Sequence, residues 1–364
     1  MDMPIGATVI GFADDIAIVV VAKQKEAAEE ICNDAVERAR TWLSGRDLSL
    51  ATHKTEAVLI SSRKVVETAT IRVGDCTISS SPSLKYLGVM IDHRLSFKHH
   101  MAYASSKAGK TTVVLSRIMA NTGGPKQPRR KLLASVVGST LMYAAPIWVD
   151  AMKHKTYARE CNAVQRLCAL RVCCAFRTVS QDAALVVAGM IPIHLLASEA
   201  AGIRAQRTLG TTDQDTRGAL RQRTILQWQD SWDNSSKGRW THRLIPDLKS
   251  WLNRSHGQVE YHLTQLLTGH GCFKAYLHRF KHEDDPFCVV CAGVIEDAEH
   301  CFFECPRFRQ EREDLSNKLG RMPTVTNLAE CLLESEGNWA AIRFMAVTMA
   351  NKLRREERAR NARR

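Results

Sequence analysis

The feature that most constrains this chain is a box near its C-terminus, where Cys288, Cys291, His300 and Cys305 are spaced C-x2-C-x8-H-x4-C. Three thiols and an imidazole suit the tetrahedral demand of zinc. The first pair, two residues apart, chelates from one turn, and the second pair closes the cage from a short helix. Cys301 stands beside His300, and its spacing to Cys305 is compatible with a site lacking histidine. On spacing alone both ligand sets stay open. His270, His278 and His282 read as surface or packing histidines. A module this small holds its fold through the metal rather than through a large core. The remaining cysteines of the twelve lack such spacing, and in a reducing compartment they are expected to be mostly buried thiols.

Lys and Arg number 51 against 38 Asp and Glu, a net charge of +13. That balance favours a polyanionic partner, nucleic acid first and an acidic membrane surface second. A hydrophobic share of 45% over 364 residues is that of a folded chain of two or three domains. No stretch approaches the roughly 18 apolar residues of a membrane span, and the opening MDMPIGATVIG lacks the plan of a signal peptide, so an intracellular protein without a membrane partner is expected. The tail NKLRREERARNARR is either a solvated helix end or a contact for a phosphate backbone through Arg354 and Arg355.

Periodicity gives an α+β chain. Ala28, Ile31, Ala35, Ala39 and Trp42 form one face of a helix over Lys25 to Leu43. The runs AVLIS, ATIRVG, CTIS and LKYLGVMID read as strands. From His99 onward the pattern is helical: Met101 to Ala120, Pro128 to Ala144, Lys155 to Cys174 and Ser180 to Leu209, with breaks at Gly123 to Pro125, Pro146 and Pro192. Thr211 to Asn253, dotted with tryptophan, reads as two short helices joined by NSSKG, and a last helix starts near Trp339.

The segment VIGFADDIAIVV sets Asp14 and Asp15 between two strands. Adjacent carboxylates repel unless a cation is shared, which is what two-metal phosphoryl transfer requires; a lone pair of this kind is more often a plain turn or helix cap. The flanks narrow the choice. FADD between apolar strands resembles the active-site box of reverse transcriptases, LSLATHKTEAVLIS the next polymerase segment, and LKYLGVMIDHRLSFKHH the primer-grip hairpin and the start of the thumb. AFRTVSQDAALVVAGMIPI, GRWTHRLIPDL, LTQLLTGHGCFKAYLHRF and the cysteine box extend the likeness. Together these segments resemble the C-terminal half of the polyprotein of non-LTR (LINE-type) retrotransposons, above all the arthropod group that inserts into ribosomal RNA genes.

The resemblance implies RNA-directed DNA polymerisation. Asp14 and Asp15 would hold Mg2+ at the catalytic centre, Lys54 would meet the incoming deoxynucleoside triphosphate, and Phe12, Tyr86, Leu87 and Gly88 would position the primer end. It also implies that His300 rather than Cys301 completes the Zn2+ site with Cys288, Cys291 and Cys305, and that Arg307, Arg309 and Arg312 help that module touch RNA or target DNA. The layout it implies is a partial palm over residues 1–92, a helical thumb and connector over 93–210, a polar tryptophan segment over 211–270, a zinc-knuckle-like domain over 271–320 and a basic helix over 321–364. Element RNA would be the template and nicked target DNA the primer, in the nucleus.

The third carboxylate of such polymerases comes from an earlier strand, and the single acid upstream of FADD is Asp2, roughly 30 Å away if the segment is extended. The chain therefore reads as a fragment cut inside the palm and is expected not to polymerise DNA alone. The alternative is a non-enzymatic, zinc-dependent RNA- or DNA-binding remnant.

Overall fold

The computed structural model describes residues 1–65, 67–211 and 213–362, and the chain divides into two compact units, Met1–Tyr103 and Ala104–Arg364. The first unit holds three separate two-stranded sheets, and the first two of them pack on one helix. Strands β1 (Ala7–Phe12) and β2 (Asp15–Val20) pair antiparallel with Phe12 opposite Asp15. That register leaves Ala13 and Asp14 as the two residues of the turn. Helix α1 (Lys25–Ser44) buries Ala35, Val36, Ala39 and Leu43. Its polar flank protects an edge: Glu29 and Asn33 accept the backbone N–H groups of Thr70 and Arg72 at 2.7 Å each. Those donors lie on β3 (Thr70–Val73), which pairs with β4 (Cys76–Ser79), and occupying them blunts an otherwise open strand.

The expected strand AVLIS is not one. Ala57 and Ser61 each make a single backbone hydrogen bond, to Ser81 and His93, without forming a ladder. Apolar, β-branched composition without an adjacent partner yields extended chain rather than a sheet. LKYLGVMID instead folds back on itself as β5 (Ser83–Tyr86) and β6 (Val89–Asp92). Leu87 and Gly88, at φ 44° and 83°, are the two residues of its turn, the left-handed pair that a tight hairpin uses. Just beyond, Asp92 is buried, and its carboxylate accepts the backbone N–H groups of Arg94, Ser96 and Phe97 at 3.0, 3.1 and 2.7 Å and the Ser96 hydroxyl at 3.2 Å. This holds Leu95 and Phe97 at φ 52° and 55°, a costly conformation for such side chains.

Helix α2 (Lys98–Ile118) carries the chain into the second unit. There α3 (Gln127–Leu141), α4 (Ala145–Trp148) and α5 (Lys155–Val172) follow, and the buried side chain of Arg130 donates to the carbonyls of Met119, Ala120, Pro125 and Arg171, satisfying the ends of α2 and α5. The expected break at Pro192 separates α6 (Gln181–Ala188) from α7 (Ile193–Thr208). The tryptophan segment departs from expectation. It is one long helix, α8 (Gln214–Asp233), then the short α9 (Arg239–Leu244) and α10 (Leu248–Leu252), with NSSKG joining α8 to α9.

Its tryptophans are pins rather than contacts for a partner. Trp232, Trp240 and Trp251 donate to the carbonyls of Ile245, Leu266 and Val186 at 2.9, 2.7 and 2.8 Å, and Trp228, Trp232 and Trp251 are buried. Helices α11 (Tyr261–Thr268), α12 (Lys274–Arg279), α13 (Arg309–Leu319), α14 (Leu328–Glu334) and α15 (Glu336–Asn361) complete the unit. The last residues of the basic tail, Arg363 and Arg364, lie outside the described residues. Among the described residues no single helix is long and apolar enough to cross a membrane.

Candidate metal centre and nucleic-acid surface

Cys288 and Cys291 lie on a tight knuckle. The Cys288 N–H donates to the Val294 carbonyl at 2.7 Å, the Val294 N–H donates to Cys291 at 3.2 Å, and Gly293 takes φ 74° where the chain reverses. His300 opens a one-turn π-helix, its N–H capped by Asp297 at 2.8 Å, and Cys305 closes that turn by donating to the His300 carbonyl at 2.7 Å. The ligand atoms of Cys288, Cys291, His300 and Cys305 all lie within 4.8 Å of one another, a set that could hold a metal ion. His300 Nε2 is buried with no hydrogen-bond partner, as a ligand nitrogen awaiting a cation would be. The donor chemistry and closed, four-donor plan suit zinc. Cys301, the competing ligand, is buried outside the set, its thiol pushed up by burial and then by Glu296.

Arg307 governs the electrostatics here. Its side chain is only 6% exposed. Nε donates to Cys305 Sγ and Nη2 to Cys288 Sγ, both at 3.3 Å. The same guanidinium pairs with Glu296, itself 1% exposed, and with Glu356 of α15 at 2.6 Å. Burial would push the Cys305 thiol up, but the Arg307 side-chain and backbone hydrogen bonds outweigh it, and the net shift is downward, toward thiolate. Cys291 moves the other way, up to about 11, through desolvation and the neighbouring Cys288 and Cys305 sulfurs. Three sulfurs this close cannot all ionise without a cation among them.

The module is also tied to α15, because Lys352 Nζ donates to the Arg307 carbonyl at 2.8 Å and Arg360 pairs with the buried Glu283 at 2.7 Å. Arg307 and Arg312 were expected on a nucleic-acid surface, and neither is on one. Arg307 is consumed by sulfur and carboxylate, and Arg312 is buried with Nη2 donating to the Glu304 carbonyl at 3.1 Å. Arg309, Arg354 and Arg355 are exposed.

In the first unit Phe12, Asp14 and Asp15 are exposed at the β1–β2 turn, and Ala13 has φ 52°. Among the described residues the two carboxylates are joined by no third His, Cys, Asp or Glu in a metal-binding group. Asp2 is not with them; it adds to the field that keeps Arg38 of α1 charged, after the larger effect of Asp34. Lys54 ends a single 3-10 turn and is exposed. Tyr86 is half-buried with its hydroxyl unsatisfied, beside the Leu87–Gly88 turn.

One surface escaped the reading of motifs. Between Asp92 and Asp150 the sequence holds no acidic residue, and on α2 the exposed Lys107, Lys110 and Arg117 line one helix face. On α3 and just before it Lys126, Arg129 and Lys131 are exposed as well. The signal was present in the charge pattern rather than in any motif.

Fold and centre together define a basic, mainly helical protein with a Cys3His cluster that could hold a metal ion. Over 328 residues it is 26% identical to the Pol polyprotein of the type-1 retrotransposable element R1 of Bradysia coprophila, covering 85% of this chain and 32% of that protein. It is 26% identical over 333 residues to the R1 2 Pol polyprotein of Nasonia vitripennis (84% and 80%), and 24% identical over 365 residues to the R1 4 Pol polyprotein of the same wasp (91% and 92%). The chain is a relative of the Pol polyproteins of arthropod non-LTR R1 elements. It spans about a third of the length of the Bradysia relative. No family model matches it, and no solved structure does.

Proposed function

We propose that this chain is the region of an R1-type reverse transcriptase that ends the palm, grips the primer–template and carries the C-terminal metal module. The observation that carries the reading is the FADD turn, two exposed carboxylates at the tip of a hairpin in a chain whose relatives are Pol polyproteins. Asp14 and Asp15 would contribute to an Mg2+ site, and bound magnesium would activate the primer 3′ hydroxyl and stabilise the leaving pyrophosphate. Two carboxylates are part of such a donor set and not the whole of it, so no catalytic step is assigned to this chain by itself.

Lys54 stands for triphosphate contact, with Phe12, Tyr86, Leu87 and Gly88 at the primer end. The cations of α2 and α3, with Arg309, Arg354 and Arg355, would take phosphates of the element RNA and target DNA, work that belongs in the nucleus. Zn2+ at Cys288, Cys291, His300 and Cys305 serves folding rather than chemistry.

The test is an RNA–DNA duplex titrated with the purified chain over a salt series. Lys107→Glu/Lys110→Glu/Arg117→Glu should weaken binding by more than tenfold and flatten the salt dependence by about three phosphate contacts. Unchanged affinity refutes the α2 assignment. For the carboxylates, the chain joined to the upstream part of an R1 Pol polyprotein should extend a primer with Mg2+, and extension that survives Asp14→Ala refutes their role.

A further inference from the structure

The metal lobe differs in charge from the rest of this basic chain. From His282 to Pro306 there is no Lys or Arg, and of its carboxylates Asp284, Asp297 and Glu304 are exposed. Lys274 and Arg307, which offset others, are buried in their ion pairs. Three thiolates around a divalent ion add a further net negative charge. A phosphate backbone would approach this lobe against its field. Its tip is apolar: Phe287, Val289, Val290, Val294 and Ile295 are 38 to 55% exposed, with Phe287 and Ile295 bridged across the knuckle. Five apolar side chains clustered on a hydrogen-bonded turn beside the four-donor set make an exposed apolar patch of the kind that marks a docking surface.

The same chain carries the complementary surface. On the exposed face of α2, Lys107, Lys110 and Arg117 alternate with Val113, Val114 and Ile118, which are 56 to 62% exposed, in a stretch without a single carboxylate. Both surfaces are exposed within one molecule, so each is open to another copy. We infer that the metal lobe is a protein-docking knob whose apolar tip seats on the basic, apolar α2 face of a second copy of this chain. Because the two patches are different surfaces, the contact is head-to-tail, and association is open-ended rather than a closed dimer. It uses the face assigned above to nucleic acid, so an RNA–DNA duplex competes with it, but the knob itself does not depend on that assignment.

Sedimentation velocity of the zinc-loaded chain over a concentration and salt series tests this. The expected result is a ladder of species at low salt that collapses to monomer as salt rises. Val290→Glu, an exposed position that leaves zinc content unchanged, should weaken association at least tenfold while leaving duplex affinity as it was. Lys110→Glu, which reverses a charge on the α2 face, should weaken it too. A chain monomeric at every concentration in low salt overturns the proposal, as does association indifferent to Val290→Glu. Photocrosslinks from residues 287–295 to single-stranded RNA, with RNA affinity lost in Val290→Glu, overturn it in favour of a nucleic-acid knuckle. Loss of duplex binding in the α2 variant bears on the proposed function alone.

Discussion

Replacing Arg307 should separate two things that the structure joins, metal affinity and the docking of the last helix. The guanidinium donates to two ligand sulfurs at 3.3 Å and pairs with Glu296, which is 1% exposed, and with Glu356 of α15. Arg307→Ala removes both N–H to sulfur bonds, which at metal sites costs about 10–100-fold in affinity, or about 1.4–2.7 kcal/mol. It also strands Glu296, whose remaining partner is the Lys274 N–H at 3.3 Å, and leaving one member of a buried pair without the other costs about 3–5 kcal/mol of fold stability. Arg307→Lys keeps the charge but not the fork, so it should fall between. The assay is zinc competition against a chromophoric chelator at neutral pH, with hydrogen exchange along α15 on the same samples. A double variant, Arg307→Ala/Glu296→Gln, removes the stranded acid and should recover stability without recovering zinc affinity. Wild-type zinc affinity in a folded Arg307→Ala protein would refute the reasoning.

Stripping the metal with a chelator should raise hydrogen exchange across residues 288–305 while α15, anchored by the buried Met345, Met349 and Leu353, loses protection mainly past Lys352; uniform unfolding of the unit would contradict this. Burial pushes the Asp92 carboxyl up, but its backbone and Ser96 hydrogen bonds outweigh that and the net shift is downward. Its stabilisation is therefore present above the ordinary carboxylate value of about 3.9 and lost as pH falls below it. Asp92→Asn should cost about 1–3 kcal/mol at pH 7 and progressively less as pH falls below the ordinary carboxylate value, read from amide exchange at residues 94–97. A Cβ on Gly257, at φ 82°, would come within 2.3 Å of the buried Trp339 ring, so Gly257→Ala should cost about 2–4 kcal/mol and lower Tm by several degrees. Gly218→Ala, on the exposed face of α8 with nothing within 4 Å, should be neutral or stabilising by about 1 kcal/mol, and equal melting of the two variants would undo the steric argument.

The parts of this molecule legible in its sequence are those written locally. The metal set is local in this sense, since chelation fixes the spacing of Cys288 and Cys291 and the turn from His300 to Cys305. Spacing could not choose His300 over Cys301; the π-turn does, by placing His300 with the three sulfurs in the four-donor set and burying Cys301 outside it. The FADD hairpin and the Leu87–Gly88 turn are local too, and both form with the register that two-residue loops impose. AVLIS failed as a strand because a strand needs a neighbour, which composition does not supply. The tryptophan segment reads as two helices joined by NSSKG; its second half is instead two, α9 and α10, parted at Pro246. Arg307 was read as a surface cation because it follows the last ligand. What buries it is Glu296 before it and Glu356 forty-nine residues later, partners that no local rule connects.

The net charge of +13 is a sum over two very different territories. One stretch, between Asp92 and Asp150, has no carboxylate, and another, from His282 to Pro306, has no ammonium or guanidinium. A polyanion responds to the local potential within about 8 Å at physiological salt, not to the sum. Nucleic acid should therefore be drawn to α2 and α3 and kept from the metal lobe, even though small Cys/His modules are the first place one would look for it. The cations nearest the sulfurs are spent internally, Arg307 on two cysteine sulfurs and Glu296, Lys274 on Asp285, Arg243 on Glu299. A lobe that uses its own cations to hold its metal and its neighbouring helix has few to offer a phosphate, and its exposed valines and isoleucine then call for a partner made of protein.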